Sequence, residues 1–295
     1  MSISEFSSGI TSGSYPSYIA AGPDGNLWFT EGNAAQIARI TPSGTVTEFS
    51  SGITPGSYPQ GITTGPDGNL WFTEQGSTQG IGRITPSGTV TEFSSGITGS
   101  SYPNAIAAGP DGNLWFTEDA ANKIGRITPS GVVTEFSIPT ANSTPYGIAA
   151  GPDGNLWFTE YSAHQIGRIT PSGTVTEFSS GITAADGLIA AGPDGNLWFT
   201  EQGRIGRITP AGVVTEFSGG ITAGSRPLGI AAGADGNLWF TEIGAGQVGR
   251  ITPGGVVTEF SSGITGSGPI GISNGADGNV WFVENIGNKV GRIVP

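Results

Sequence analysis

The sequence predicts an all-β fold, a seven-bladed β-propeller with four antiparallel strands per blade, and three observations support this prediction. The first is a repeat, because the seven Trp residues at positions 28, 71, 115, 157, 198, 239 and 281 are spaced by 41 to 44 residues. The second is composition, since 52 Gly and 20 Pro supply turn residues while 36% hydrophobic residues exclude a disordered chain. The third is that the two ends of the chain carry complementary parts of one repeat.

Each repeat contains four short segments with strand character, separated by turn residues. In the first repeat these are strand A (19–21), strand B (26–31), strand C (37–41) and strand D (45–50). The turn Gly22-Pro23-Asp24-Gly25 joins A to B, where Pro presets φ and Asp caps the turn. Four antiparallel strands repeated at about 42 residues are typical of a propeller blade, and no segment predicts a helix.

The ends of the chain favour a closed ring over an open β-solenoid. Residues 2–7 match a strand D, and the last residues are those of a strand C. An open array needs polar caps at both ends, whereas a ring completes its last sheet with its first strand. We therefore expect one domain over residues 1–295, whose last blade is closed by the N-terminal strand.

Charge and residue usage exclude several classes of function. The net charge of −12 repels phosphate backbones and anionic lipid heads, so we expect neither a nucleic-acid partner nor a membrane. No signal peptide or spanning segment is apparent, which predicts a cytoplasmic location if the chain is complete. The absence of Cys and the presence of one His, His164, argue against thiolate chemistry and a zinc site. We expect a monomer.

Most charged residues recur in every repeat and therefore cannot mark a single site. Every acid except Asp119 and Asp186 belongs to the repeat. The Asp of the A–B turn is interpreted as a turn cap. The Arg of strand C, such as Arg39, is expected to stack on the Trp of strand B or to pair with the Glu of strand D.

A third repeated acid, the Glu that ends strand B, allows two interpretations. It is either a solvated rim charge or a member of an acidic collar around one end of the channel, which would bind Mg, Ca or a basic ligand. Like charges in such a collar would raise the pKa values of the Glu side chains. The collar would contain Glu31, Glu74, Glu118, Glu160, Glu201, Glu242 and Glu284.

The better candidates for specificity are the residues that differ between blades. Propellers bind ligands on the face that carries the loops around the channel mouth. At the start of strand A the variable residues are Ser17, Gln60, Asn104, Tyr146, Gly187, Leu228 and Ile270, with Tyr18 and Leu188 one place further on. His164, in the B–C loop of the fourth blade, is near the same rim and is either a ligand contact or a solvated side chain.

The unit Trp-Phe-Thr-Glu, a short loop, Ile-Gly-Arg-Ile-Thr and Gly-x-Val-Thr-Glu-Phe resembles the repeat of streptogramin lyases, also called virginiamycin B lyases. The resemblance covers the whole chain. It implies a Mg-assisted elimination that opens the ester of a cyclic depsipeptide, with catalytic His residues in Pro-His dipeptides entering the last two blades. In this sequence the matching dipeptides are Pro227-Leu228 and Pro269-Ile270. Gly268 stands where the family has an acid before the last Pro-His dipeptide. Only Glu284 matches an acidic position of the family.

Leu and Ile side chains cannot transfer a proton, so these positions lack the acid and the base that general acid–base catalysis requires. The sequence therefore predicts a non-enzymatic propeller, a binding module or scaffold with an acidic loop face, which would take a small molecule, a sugar or a peptide. The alternatives are a C–O lyase of streptogramin B-type lactones that uses Mg and Glu284, and an enzyme of another class. The near-identity of the repeats is typical of an amplified or deliberately symmetrised sequence.

Overall fold

The computed structural model describes all 295 residues, and its only regular elements are 28 β-strands arranged as seven four-stranded antiparallel sheets. Strands A of consecutive sheets contact each other, and those of the last and first sheets also meet, which closes the ring. The predicted seven-bladed β-propeller is confirmed. No segment forms a helix of the length and hydrophobicity that a membrane crossing requires.

The strands follow one order in every blade, with A innermost and D at the outer edge. Strands A are β2 (Pro16–Ala21), β6 (Pro59–Thr64), β10 (Pro103–Ala108), β14 (Pro145–Ala150), β18 (Ile189–Ala191), β22 (Pro227–Ala232) and β26 (Pro269–Asn274). Strands B are β3 (Leu27–Glu31), β7 (Leu70–Glu74), β11 (Leu114–Glu118), β15 (Leu156–Glu160), β19 (Leu197–Glu201), β23 (Leu238–Glu242) and β27 (Val280–Glu284). Strands C are β4 (Gln36–Ile40), β8 (Gly80–Ile84), β12 (Lys123–Ile127), β16 (Gln165–Ile169), β20 (Arg204–Ile208), β24 (Gln247–Ile251) and β28 (Lys289–Val294). Strands D are β5 (Val46–Phe49), β9 (Val90–Phe93), β13 (Val133–Ser137), β17 (Val175–Phe178), β21 (Val214–Phe217), β25 (Val257–Phe260) and, in the last blade, β1 (Ser2–Phe6).

The first and last strands complete one sheet, as the sequence predicts. β1 pairs antiparallel with β28, so that Ser2 lies opposite Val294 and Phe6 opposite Val290. The ring of Phe6 stacks on Trp281 with 5.6 Å between centroids. The Nζ of Lys289 donates to the Glu5 carboxylate at 2.7 Å. The seal is therefore made of ladder hydrogen bonds, one aromatic stack and one ion pair.

The repeated Trp, Asp and Arg form one structural unit in each blade. Trp28 is fully buried, stacks on Phe49 at 5.3 Å, and donates its indole N–H to Asp24 Oδ1 at 3.0 Å. The guanidinium of Arg39 lies 5.5 Å from the Trp28 ring centroid and donates to the carbonyl of Pro86 in the next blade at 3.2 Å. The predicted turn cap and Arg–Trp stack are both confirmed.

The strand D Glu does not pair with this Arg. Arg39 lies opposite Thr47, so the next residue, Glu48, faces the other side of the sheet. The Arg39 Nη1 instead lies 3.6 Å from Asp24 Oδ2. These residues hold neighbouring blades together, which explains why they recur in every unit.

The Thr of strand B also connects neighbouring blades, from the second blade to the sixth. In the third blade Thr117 Oγ1 accepts from the backbone N–H of Ala105 at 3.0 Å and donates to the carbonyl of Tyr146 in the fourth blade at 2.9 Å. The seventh blade has Val283 at this position, fully buried. A valine can neither accept nor donate, so the junction between the last and first blades lacks this connection.

Replacing Thr117 by Val is expected to lower the free energy of unfolding by about 1–3 kcal/mol, because it leaves a buried N–H and a carbonyl without their partner. Urea titration followed by circular dichroism measures the change. Thr134→Val, on the exposed side of strand D, is the matched control and should change stability by less than about 0.5 kcal/mol. Equal effects of the two substitutions would contradict the bridging role.

Candidate functional site

The variable residues at the start of strand A lie on one face of the ring, which carries the B–C loops and the D–A crossings and is called here the loop face. Ser17 and Asn104 are buried there. Gln60, Tyr146, Leu228 and Ile270 are half-buried, as are Tyr18 and Leu188, while His164 is exposed. The face therefore presents a mixed polar and apolar surface, as the sequence predicts.

The structure brings three of these candidates together with an acid that sequence reasoning did not select. The hydroxyl of Tyr18, in the first blade, donates to Asn104 Oδ1, in the third, at 3.3 Å. Asn104 Nδ2 in turn donates to Asp119 Oδ2 at 3.2 Å. The Tyr146 hydroxyl is close enough to Tyr18 and Asn104 to interact with both. We call Tyr18, Asn104, Asp119 and Tyr146 the polar cluster.

Asp119 is the unusual member of the polar cluster. Its Oδ1 is buried and has no hydrogen-bond partner. Burial raises the pKa of the Asp119 carboxyl from 3.8 to about 7, although the hydrogen bond from Asn104 acts in the opposite direction. The sequence does contain a signal for this residue, because Asp119 is one of only two acids outside the repeat.

The two tyrosines remain neutral at physiological pH. Burial, followed by the neighbouring Tyr146 and Asp119, raises the pKa of Tyr18 well above its usual value. Burial likewise raises the pKa of Tyr146, whose ring centroid lies 6.1 Å from that of Tyr161. Neutral phenols can donate or accept one hydrogen bond and present their π faces to a cation.

An apolar cavity of about 110 Å³ adjoins the polar cluster in the central channel. Tyr18 contributes to its wall, and the rest comes from strands A of five further blades and from Leu188, the residue before β18. These lining residues are Gly61, Ile62, Ala105, Ile106, Ile148, Leu188, Ile189 and Ile230. Gly61 is required by the close approach of the next blade, because a Cβ there would meet the carbonyl oxygen of Asn104. The Ile side chains of strands A, such as Ile62 and Ile106, narrow the channel.

The second non-repeat acid, Asp186, lies in a separate cleft between the fourth and sixth blades. The cleft has a volume of about 30 Å³ and is lined by Tyr161, Asp186, Gln202, Arg226, Pro227, Leu228 and Ile243. Burial raises the pKa of Asp186, while the charges of His164 and Arg226 oppose this shift. Leu228 therefore lines this cleft and is not part of the polar cluster, while His164 acts on Asp186 only through its charge.

The remaining candidates join neither group. The Ser17 hydroxyl donates to the carbonyl of Tyr15 at 3.2 Å. The Ile270 carbonyl accepts from Thr241 of the preceding blade at 2.8 Å. Neither these two residues nor Gln60 lines the channel cavity or the Asp186 cleft.

The prediction for the strand B Glu residues, rim charges or a collar, is wrong in its geometry. All seven are buried, with at most 2% exposure. Each lies within its own blade, as in the first, where Ser14 Oγ donates to Glu31 Oε1 at 2.5 Å. No three His, Asp or Glu side chains are arranged to hold a metal ion. The sequence showed the spacing of the Glu residues but not their burial beneath the D–A crossings.

The pKa values of these Glu side chains shift in the predicted direction but for another reason. Burial, followed for Glu201 by repulsion from Glu216 of strand D, raises the pKa from 4.5 to about 9. The corresponding values are about 7 for Glu160 and Glu242 and about 8 for Glu31, Glu74, Glu118 and Glu284. Burial is the largest cause in every blade.

The residues present do not fit the Mg that the family resemblance implies. Glu284 has two buried carboxylate oxygens without hydrogen-bond partners. The same orphan oxygens occur in Glu118 and Glu201 of other blades, so they are a property of the repeat and not of a metal position. Leu228, Gly268 and Ile270, the other positions that the resemblance singles out, have no side-chain oxygen that could bind Mg.

Comparison with known proteins relates the fold to characterised structures. The chain aligns with a streptogramin B lyase structure at a TM-score of 0.90 and 36% identity, covering 99% of this chain and 96% of the other. Virginiamycin B lyase from Staphylococcus aureus aligns at 0.90 and 38% identity, covering 99% and 98%. A catalytically inactive His-to-Ala variant of that enzyme with quinupristin gives the same values. No curated protein sequence matches the chain.

The family model of virginiamycin B lyases matches residues 2–185 and 181–295, which together span almost the whole sequence. The match agrees with the seven repeats, the closure by β1 and the identity to the solved lyases. The chain belongs to the virginiamycin B lyase family.

Proposed function

We propose that this chain is a non-enzymatic binding propeller that holds a small molecule on its loop face. The observation that carries the proposal is the kind of side chain found at the channel mouth: apolar where proton transfer would need an acid or base, and polar on the opposite side. By the family resemblance, the apolar side chains of Leu228 and Ile270 stand where proton-transferring His residues are expected. Across the mouth, Asp119 offers a buried, unpartnered carboxylate oxygen beside two tyrosines.

This arrangement supports binding better than elimination. An elimination needs a base at the carbon that loses its proton and an acid at the leaving oxygen. The Asp119 carboxyl lies in the third blade, and Glu284 lies in the seventh, buried beneath the D–A crossing. A polar cluster beside an apolar cavity is, in contrast, the usual composition of a small-molecule site.

The proposal predicts that the protein does not open streptogramin B-type lactones. Mass spectrometry of quinupristin incubated with the protein and Mg should show only the intact cyclic compound, at enzyme concentrations where a family lyase converts all of it. The reason is that neither Leu228 nor Ile270 can act as acid or base.

Enzyme-dependent appearance of the linear product would contradict the proposal and support the alternative, a C–O lyase. Glu284→Gln and His164→Ala would then identify the group that had taken over the proton transfer. Turnover that survives both substitutions and disappears in Asp119→Asn would place the chemistry in the polar cluster.

A further inference from the structure

The channel cavity and the polar cluster share a wall. The Tyr18 ring lines the cavity, and its hydroxyl reaches Asn104. Ala105, the residue after Asn104, lines the same cavity. The Tyr18 hydroxyl and the Asn104 amide therefore connect the Asp119 carboxylate to the wall of the cavity.

The cavity is suited to a short branched hydrocarbon group. Eight of its nine lining residues are hydrophobic, and the exception is Gly61. An apolar cavity of about 150 Å³ in another protein stays dry and binds benzene or xenon. Scaled from the cavity that holds the six carbon atoms of benzene, the 110 Å³ present here corresponds to about four carbon atoms.

The polar cluster is suited to a cation that donates hydrogen bonds. Asp119 Oδ1 is buried without a partner, and a buried carboxylate is costly unless it is paired. The Tyr18 and Tyr146 side chains that face Asp119 are neutral, and neither Lys nor Arg forms a salt bridge with it. An ammonium group would supply the missing donor and could also contact the tyrosine rings.

We propose that the loop face binds a small primary amine, whose branched hydrocarbon chain occupies the channel cavity and whose ammonium group donates hydrogen bonds to Asp119. This inference rests on the proposed binding function and specifies the chemical class of its ligand. Its failure is separable from that of the proposed function, because turnover of a lactone is measured independently of amine binding.

The test compares two probes of the same shape, 3-methylbutylamine and 3-methylbutan-1-ol, by NMR titration at pH 8. The amine should bind at least about tenfold more tightly than the alcohol, since only it can form a charge-assisted hydrogen bond. Asp119→Asn should remove this preference and leave the alcohol's affinity unchanged within about threefold. Asp186→Asn, which changes the other non-repeat acid, is the matched control and should alter neither affinity.

The pH dependence gives a second readout. Because the pKa of Asp119 is about 7, its carboxyl is ionised at pH 8 and mostly protonated at pH 6. The amine keeps its charge throughout this range, since alkylammonium groups titrate near pH 10. The affinity for the amine should therefore rise about tenfold from pH 6 to pH 8, while that for the alcohol stays constant.

The hydrocarbon part is tested separately. Leu188→Phe should reduce the binding of both probes, because it places a larger side chain in the cavity wall, and circular dichroism shows whether this variant is folded. Xenon NMR needs no variant and should detect one saturable site. Equal affinities for amine and alcohol, or an amine preference that persists in Asp119→Asn, would overturn the ammonium assignment; absence of xenon binding would overturn the cavity assignment.

Discussion

Raising the pH from about 5 to about 8 is expected to lower the melting temperature by roughly 10 °C. The cause is the set of seven buried strand B Glu side chains, whose pKa values lie between about 7 and 9 in the folded protein against 4.5 normally. Between these values the folded state holds protons that the unfolded state has lost. These Glu side chains therefore make their full contribution to the free energy of unfolding below about pH 4.5, and this contribution decreases as the pH rises through 8.

Other carboxyls determine how the stability changes with pH in the acid range. The ion pair and hydrogen bonds that Glu5 makes with Lys289 and Thr265 lower its pKa to about 2 despite its burial. Its contribution is present above pH 4.5 and is lost as the pH falls towards 2. The Asp of each A–B turn also has a lowered pKa, because Asn and Trp donate to it. Calorimetry should thus find maximal stability near pH 5.

Two Glu side chains of the fifth blade provide a matched test of this explanation. Glu201 is buried and both its oxygens lack hydrogen-bond partners. Glu201→Gln removes the cost of keeping a proton, so it should raise the melting temperature at pH 8 by a few degrees and have little effect at pH 5. Glu216 accepts from Arg204 at 2.6 Å, so Glu216→Gln should lower the melting temperature at pH 8. Melting that is independent of pH, or identical effects of the two substitutions, would contradict the role assigned to burial.

Deleting residues 1–8 is expected to cause aggregation and to lower the melting temperature by about 10 °C or more. The deletion removes β1, which leaves the backbone groups of β28 unpaired along the edge of the seventh sheet. It also removes Phe6 from the face of Trp281 and the partner of Lys289. Light scattering during heating and size-exclusion chromatography measure both effects.

Adding the peptide of residues 2–8 in excess should restore a monomer, because the seal contains no covalent bond, and a scrambled peptide should not. Only the seventh blade can lose a strand and regain it from a separate peptide in this way, since every other blade obtains its four strands from one continuous segment. A truncated chain that stays monomeric and melts at the same temperature would show that β1 is dispensable for closure.

The fold could be predicted almost completely from the sequence, because the pattern of a single blade is repeated seven times. Turn residues and strand alternation fixed the four strands, although strand A is longer than predicted, at Pro16–Ala21, because its first residues pair across a bulge. The site was predicted only in part. Tyr18, Asn104 and Tyr146 were selected for differing between blades, yet the contact between Tyr18 and Asn104 joins residues two blades apart. Such a contact depends on the width of the channel, which no local pattern encodes.

The strand B Glu residues show where pattern reasoning fails. A Glu at the end of a strand beside a polar loop is usually exposed. Here the D–A crossing folds over the strand end, and Ser14 and its counterparts cover the carboxyl. Burial of this kind arises from the return path of the chain, so only the three-dimensional structure reveals it.

The stacking of each Trp between its neighbours has a spectroscopic consequence. All seven indoles are fully shielded from solvent, and each is hydrogen-bonded to the Asp of its A–B turn, away from the loop face. Their fluorescence should therefore be blue-shifted, inaccessible to iodide quenching, and unchanged when a molecule occupies the channel mouth. The tyrosines, four of which are Tyr15, Tyr18, Tyr146 and Tyr161, carry the optical signal of that face. Tryptophan emission thus reports on the integrity of the ring, and tyrosine absorbance on what the ring holds.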